Sequence, residues 1–404
     1  MSLRNALLAG AALVITLVVS EGLLRLALPA RDKYYVNVPD TDLRGTIPPS
    51  IVRGVDSIVH YRLNSLGIRG RDFGADSSEY RILAVGGSTT ECVLLNNTQA
   101  WPAVIERMLH RTADGRQVWV GNVGRSGLTS REHVLHLEHL LPQYPRIDAV
   151  VALVGVNDVL TALRQGYAYR LPRPITEPDA ERDDLRRAFA VLPHMEDLPV
   201  DGMHFGWYRS TALFDVARRA RLAWSARGSF AFSPDGGLVQ ARRRRRLGPL
   251  LDSVPSLDAP LVEYRRNLTG MADMAVAHHV RLVFVTQPSL WRDSMPAAEE
   301  RDLWLGWRGT GWQSADGFYA PRALATAMQA FNVATEDVCR ARHLDCVNVS
   351  DAVPRNGTMF YDDVHLTVSG SRRVAELVSR HFAARAPFVS AQAGSQYERL
   401  NGMW

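Results

Sequence analysis

Residues 81–91 read Arg-Ile-Leu-Ala-Val-Gly-Gly-Ser-Thr-Thr-Glu. A short apolar run that stops at two glycines and then turns polar predicts a buried strand. Working outward, the same pattern recurs. Residues 99–112 have helical period, with Thr98 as a candidate N-cap. Val118–Gly124 reads as a second strand, 131–141 as a helix and 149–155 as a third apolar run. Further on, a helix over 261–279 leads into a strand over 280–287. A helix over 322–342, a short strand over 346–349 and a closing helix over 367–385 complete the series. Strands alternating with helices predict an α/β fold of three layers, α/β/α, around a mainly parallel central sheet. No internal repeat is visible.

The rest of the chain frames that core. The protein has 404 residues, 46% of them hydrophobic and 22% charged, with 30 Gly and 21 Pro. That composition excludes a collagen, a coiled coil and a wholly disordered chain. The length admits two or three domains, or one large α/β domain with insertions. Lys plus Arg number 47 and Asp plus Glu 42, a net charge of +5. So mild an excess does not predict nucleic-acid binding. The cysteines, Cys92, Cys339 and Cys346, are too few for a disulfide scaffold, and none has zinc spacing. The expected organisation is an anchor or signal segment over 1–30, an irregular lead-in over 31–79, and a catalytic domain over 80–388. That domain carries insertions at 162–255 and 289–320, and a tail follows over 389–404.

Residues 5–20 form an uncharged, mostly apolar run. At ~1.5 Å per residue it covers about 24 Å, short of a ~30 Å hydrocarbon layer. Continued to Pro29 it is long enough, and then includes Glu21 and Arg25, spaced to pair on one face. A membrane anchor, a cleaved signal peptide and a buried core helix all suit such a run. The absence of a small-x-small cleavage site in 26–33 favours retention. Arg4 precedes the run and Arg25, Arg31 and Lys33 follow it, so basic residues alone put the C-terminal side in the cytoplasm.

Four short segments carry residues suited to chemistry. Ser88 follows the first strand directly, where open α/β sheets place their active sites. It suits a nucleophile, and the glycine pair lets the backbone turn and approach a ligand. Ser88-x-x-Glu91 is equally a capping box, and neither GxGxxG nor a P-loop is present. Asn122–Ser130, after the second strand, holds Gly124 and Gly127 and can aim backbone N–H groups at an anion, or be an ordinary turn. Asn157, after the third strand, can donate a side-chain N–H into the same crevice or cap a helix. Asp362 and His365 are three apart, so one turn can bring the carboxylate onto the imidazole and fix its tautomer. Asp363 is a competitor for that role.

In this order the four segments resemble the blocks of the SGNH/GDSL hydrolases, over about Arg81 to Arg385. The resemblance implies the flavodoxin-like fold of that family. It also implies Ser88 as nucleophile, His365 as base and Asp362 as the acid that orients it. The oxyanion hole would be the N–H groups of Ser88 and Gly127 and the side chain of Asn157. Gly127 is matched rather than Gly124 because residues 126–130 look most like the family's second block. No cofactor and no metal are implied. One departure stands out: Gly87 occupies the place of the usual Asp in Gly-Asp-Ser. The Gly-Gly-Ser form is similar to a membrane-anchored bacterial subgroup whose catalytic domain is extracytoplasmic. That likeness opposes the basic-residue count and places the domain outside the cytoplasm, in the periplasm if the chain is bacterial. The family resemblance implies a serine esterase, and analogy together with the tryptophan cluster points to short acyl esters, O-acetyl groups on a glycan, as its substrate. The alternatives are an O-acyltransferase acting on a surface polysaccharide and a non-catalytic scaffold of an envelope assembly machine.

Other features are weaker. Arg242–Arg246 form a run of five, read first as a solvated, flexible loop and second as a contact for an anionic membrane or acidic glycan. His133, His136 and His139 recur every third residue and are expected on a helix surface rather than around a metal. Trp291, Trp304, Trp307, Trp312, Phe318 and Tyr319 suit sugar stacking and a small local core alike. Cys339 and Cys346 suit a bridge in an exported chain and free buried thiols alike. Asn96, Asn267, Asn348 and Asn356 fit N-x-[ST], which matters only where glycosylation occurs.

Overall fold

The computed structural model describes residues 3–27, 33–72, 78–144, 146–190, 208 and 211–389. Apart from Val389, the expected tail lies outside the described residues, as do parts of the lead-in and of the first insertion.

Five parallel strands form the central sheet: Glu79–Gly86, Gln117–Asn122, Ala149–Leu153, Arg281–Val285 and Asp345–Val347. Numbered along the chain, their spatial order is 2-1-3-4-5, the flavodoxin-like order. The first and third strands are buried at every residue, as a sheet covered on both faces requires. Helices Trp101–Leu109 and Val368–Ala383 pack together as one layer. Helices Ser130–Gln143, Asp258–Ala277 and Pro321–Arg342 form the other. The order reverses between the first and third strands, the switch point beside whose C-terminal strand ends open α/β sheets place their ligand sites.

Local starts differ from expectation in instructive ways. The first sheet-covering helix begins after Ala100, not Thr98, because Pro102 sets the first turn. The second is held by a capping box between Thr129 and Glu132.

The lead-in is more ordered than its composition suggests. Strands Asp42–Thr46 and Ile58–Arg62 pair antiparallel, and Arg227–Ala231 from the insertion joins the first of them in parallel. Val59 and Tyr61 point inward with period two, so the run Ile-Val-His-Tyr-Arg carried a strand signal.

The arginine run is also not a solvated loop. It lies on helix Gly237–Leu247, with Arg242 and Arg245 buried and Arg243, Arg244 and Arg246 exposed. The Arg242 guanidinium donates to the carbonyls of Asp302 (3.0 Å), Tyr361 (3.1 Å) and Ile51. Arg245 donates to Leu305 (2.6 Å) and Tyr319 (2.7 Å). Irregular segments leave carbonyls without ladder partners, and these two side chains satisfy them.

The helix Leu3–Ala27 is long and apolar enough to cross a membrane, and its apolar side chains are exposed, unlike those of a core helix. Glu21 and Arg25 pair at 2.6 Å, as their spacing predicts. The Glu21 carboxylate also accepts the N–H groups of Ala212 and Leu213, at the start of helix Ala212–Ser225.

His133 and His136 correct another expectation, because both are buried. Their helix turns this face into the core, where Tyr34 Oη lies 2.8 Å from His136 Nδ1. Burial pushes the His133 pKa down to about 3, so the ring is neutral. Asn267, one of the four glycosylation matches, is likewise buried. Cys339 and Cys346 form a disulfide, and Cys92 is a buried free thiol.

Candidate active site

Ser88, Gly127 and Asn157 follow the ends of the first three parallel strands, whereas Asp362 and His365 lie on a turn well beyond the fifth. The first strand runs straight into Gly86 and Gly87, and Ser88 opens a one-turn helix ending at Glu91. The glycines are required by crowding rather than by a left-handed backbone, since Gly87 is extended at φ −81°. A Cβ on Gly86 would lie 2.3 Å from the Leu153 carbonyl, and one on Gly87 2.5 Å from Asn157 Nδ2. At Gly86 the obstacle is the backbone of the neighbouring strand and at Gly87 the end of the Asn157 side chain, so the chain passes close to both.

Ser88 does not act as a cap. Gly87 is the N-cap and makes no side-chain bond to the helix. The Ser88 hydroxyl instead lies 2.8 Å from His365 Nε2. The Ser88 N–H, at the first position of the turn, finds no acceptor among the described residues, as helix starts leave theirs free.

His365 is reached through a local turn. Asp362 Oδ1 accepts the backbone N–H groups of Val364 (3.1 Å) and His365 (2.9 Å), which folds the segment back on itself. The same carboxylate meets the ring at Nδ1, at 2.9 and 2.8 Å for its two oxygens. Burial works against the charged imidazole, yet the Asp362 charge and hydrogen bond outweigh it and raise the His365 pKa above its ordinary value. Burial likewise works against the Asp362 carboxylate, and the His365 ring holds its pKa below the usual range.

Asp363 faces away from the ring. It accepts from Trp291 Nε1 (2.9 Å) and from the backbone N–H groups of Trp304 (2.7 Å) and Leu305 (3.1 Å). It therefore ties the tryptophan-rich insertion to the histidine turn. Trp304 also donates its Nε1–H to Asp362 Oδ2 at 2.9 Å. Trp291, Trp307, Phe318 and Tyr319 are buried, so most of the aromatic cluster is core. Trp304 is half-buried and stacks on Trp307 at 6.1 Å.

The loop after the second strand and the helix start after the third carry the other candidate donors. Gly124 N–H is already bonded to Asn122 Oδ1 at 2.8 Å. Gly127 is exposed, has φ +83° and has no acceptor for its N–H among the described residues. Asn157, at the start of helix Val156–Gln165, donates one of its two side-chain N–H groups to the Leu128 carbonyl at 2.7 Å. Its amide nitrogen borders Gly87, directly before Ser88.

The network behind these donors was not anticipated from sequence. The Asp158 carboxylate accepts the Ser130 N–H at 3.1 Å and its hydroxyl at 2.5 Å, and burial pushes its pKa up to about 7. Glu91 accepts the Ser126 N–H at 2.7 Å. Arg69, from the lead-in, donates to the carbonyls of Glu91, Cys92 (2.8 Å) and Leu95. Asn37 donates to the Gly124 carbonyl at 3.2 Å and Arg125 to Val36 at 2.6 Å, again joining the lead-in to the site. Among the described residues no cluster of His, Cys, Asp or Glu has the arrangement of a metal site.

The model of the GDSL-like lipase/acylhydrolase family matches residues 84–373. No curated protein matches the chain. Among solved structures, the acetylxylan esterase Axe2 from Geobacillus stearothermophilus is 14% identical, with a TM-score of 0.40 over 77% of this chain and 97% of that one. LAE5, an alpha/beta hydrolase enzyme from the metagenome of Lake Arreo, is 12% identical, with a TM-score of 0.38 over 76% and 94%.

Proposed function

This chain belongs to the GDSL-like lipase/acylhydrolase family and is an ester-hydrolysing enzyme, and on that premise we propose that Ser88, His365 and Asp362 are its catalytic triad. The observation that carries the proposal is the unbroken line from Asp362 through both ring nitrogens of His365 to the Ser88 hydroxyl. A free serine hydroxyl is a weak nucleophile, and a base within hydrogen-bond reach is what activates it.

The chemistry then runs in two halves. Ser88 Oγ forms a bond to the ester carbonyl carbon while its proton moves to His365 Nε2. The imidazolium is held by Asp362. The carbonyl oxygen becomes an oxyanion, received by the N–H groups of Ser88 and Gly127 and by the second N–H of Asn157 Nδ2. Collapse breaks the carbon–oxygen bond to the alcohol, which leaves with the proton from Nε2. Water, deprotonated by the same ring, then releases the acid and restores Ser88.

The proposed substrate is a short acyl ester, with O-acetyl groups on a glycan as the natural setting. Its support is the half-buried Trp304 ring beside Asp362, an aromatic face of the kind that sugar rings stack on. The proposed location is a single-pass membrane protein with its catalytic domain outside the cytoplasm. The apolar helix Leu3–Ala27 supports the anchor, and the Cys339–Cys346 disulfide supports an oxidising compartment.

The test uses the detergent-solubilised full chain. Wild type hydrolyses p-nitrophenyl acetate and is labelled at Ser88 by a fluorophosphonate, and Ser88→Ala does neither. Hydrolysis surviving in Ser88→Ala overturns the triad. Acetate release from an acetylated glycan, compared with longer p-nitrophenyl esters, tests the substrate. Phosphatase and green fluorescent protein fusions at the C-terminus test the side: a fluorescent fusion overturns the extracytoplasmic placement.

A further inference from the structure

We infer that Glu91 is a positioning residue for the oxyanion hole, holding the Gly127 donor through Ser126. The inference rests on the triad and oxyanion hole proposed above and adds a residue to that site.

Consider where each backbone N–H of the second-strand loop goes. Val123 donates to Ala84 O at 2.9 Å, Gly124 to Asn122 Oδ1 at 2.8 Å and Arg125 to Gly86 O at 3.0 Å. Ser126 donates to Glu91 Oε2 at 2.7 Å, and its hydroxyl donates to the same oxygen. Gly127 is the next residue, and its N–H is left over. Every amide up to the donor is therefore pinned, and the last pin is the Glu91 carboxylate. Beyond the donor, Leu128 is buried and its carbonyl accepts from Asn157 at 2.7 Å; on the Ser126 side the hold is the Glu91 carboxylate, because Gly127 itself is exposed and carries no side chain. The Gly127 N–H belongs to the peptide that starts at Ser126, so freedom at Ser126 becomes freedom of the donor.

Glu91 is itself fixed. It closes the one-turn helix that Ser88 opens, so nucleophile and pin share one rigid turn. Its other oxygen accepts from Tyr61 Oη at 3.1 Å, and its carbonyl accepts from the buried Arg69. The Arg69 guanidinium in turn lies 4.8 Å from the Tyr61 ring centroid. Two lead-in residues thus hold the acid that holds the loop. Gly87 cannot offer a carboxylate here, and Glu91 supplies one from the far side of Ser88.

The experiment compares a matched aryl acetate and thionoacetate on the full chain. Sulfur accepts hydrogen bonds poorly and is larger, so a displaced donor slows the oxygen ester far more than the thionoester. A fault in Ser88 or His365 slows both alike. Glu91→Ala is expected to lower kcat on the oxygen ester by about 10–10², leave KM unchanged, and narrow the preference for oxygen over sulfur by a similar factor. Glu91→Gln keeps an acceptor oxygen for Ser126 and is expected to restore most of kcat. Ser126→Ala, which deletes the hydroxyl bond and spares the backbone one, gives a smaller change in the same direction. It carries the test should Glu91→Ala not fold. An equal loss on both esters, or an unchanged kcat in folded Glu91→Ala or Ser126→Ala, overturns the inference. Ser88→Ala separates this from the parent reading: if Ser88→Ala is inactive, such a result removes the role of Glu91 alone.

Discussion

Replacing Gly87 by Ala adds one methyl group at the place where the site has no room for it. Its backbone is extended at φ −81°, so an L side chain costs nothing in conformation there. The obstacle is the Asn157 amide, 2.5 Å from the new Cβ, against an ordinary contact of at least 3.4 Å. The amide must therefore retreat by about 0.9 Å. It is the end of a flexible side chain, so the retreat costs about 1–2 kcal/mol of stability, the lower part of the range for overpacking. Its effect on rate is larger. A donor displaced by ~1 Å no longer meets the oxyanion, and such losses run to ~10²-fold, about 2.7 kcal/mol of transition-state stabilisation. We predict that Gly87→Ala melts within a few degrees of wild type and loses ~10² in kcat for p-nitrophenyl acetate, with KM little changed. Asn157→Ala should lose as much, and the double variant no more than either, because both act through one donor. A folded Gly87→Ala that keeps kcat within about threefold of wild type refutes the assignment of Asn157 as an oxyanion donor.

Three other outcomes follow from contacts described above. Asp362→Asn should lower kcat by roughly 10³–10⁴, through loss of the ring's orientation and of its charge partner. Because the proposed base His365 works only when neutral and its pKa is raised, wild-type activity should climb with pH through a midpoint above that of ordinary histidine. Asp362→Asn removes the attracting charge and should move the midpoint down; an unmoved midpoint in the pH–rate profile argues against the pair. Arg242→Ala strips donors from three carbonyls and should cost about 2–4 kcal/mol in urea unfolding, against about 0.5 or less for exposed Arg243→Ala. Cys339→Ser opens a bridge with a sequence separation of 7 and should cost about 2.5 kcal/mol by the loop-entropy relation, checked by denaturation with and without reductant.

Much of the core was readable because its determinants are local. Five apolar runs, each closed by Gly or a polar turn, are all strands of the central sheet, since burial on both faces leaves a continuous signature. The contact between Asp362 and His365 was readable for the same reason: three residues and one turn suffice to make it. What escaped was set by distant partners. A run of arginines reads as solvated, and only the bare carbonyls of Ile51, Asp302 and Tyr361 make burial of Arg242 favourable. The spacing of His133 and His136 fixes a helix face but not which way it turns. Ser88 and Glu91 look like a capping pair in sequence. In the fold each is drawn to a partner from elsewhere, His365 and Ser126.

Ser88 and His365, the proposed nucleophile and base, are 277 positions apart along the chain. A ribosome adding roughly 5–20 residues per second needs about 15–55 s to travel from one to the other. Throughout that interval the nascent polypeptide carries a serine with nothing to deprotonate it. Closure of helix Val368–Ala383 behind His365 is thus a timer as well as a packing event, and on the proposed mechanism the chain emerges inert toward esters until His365 has been made.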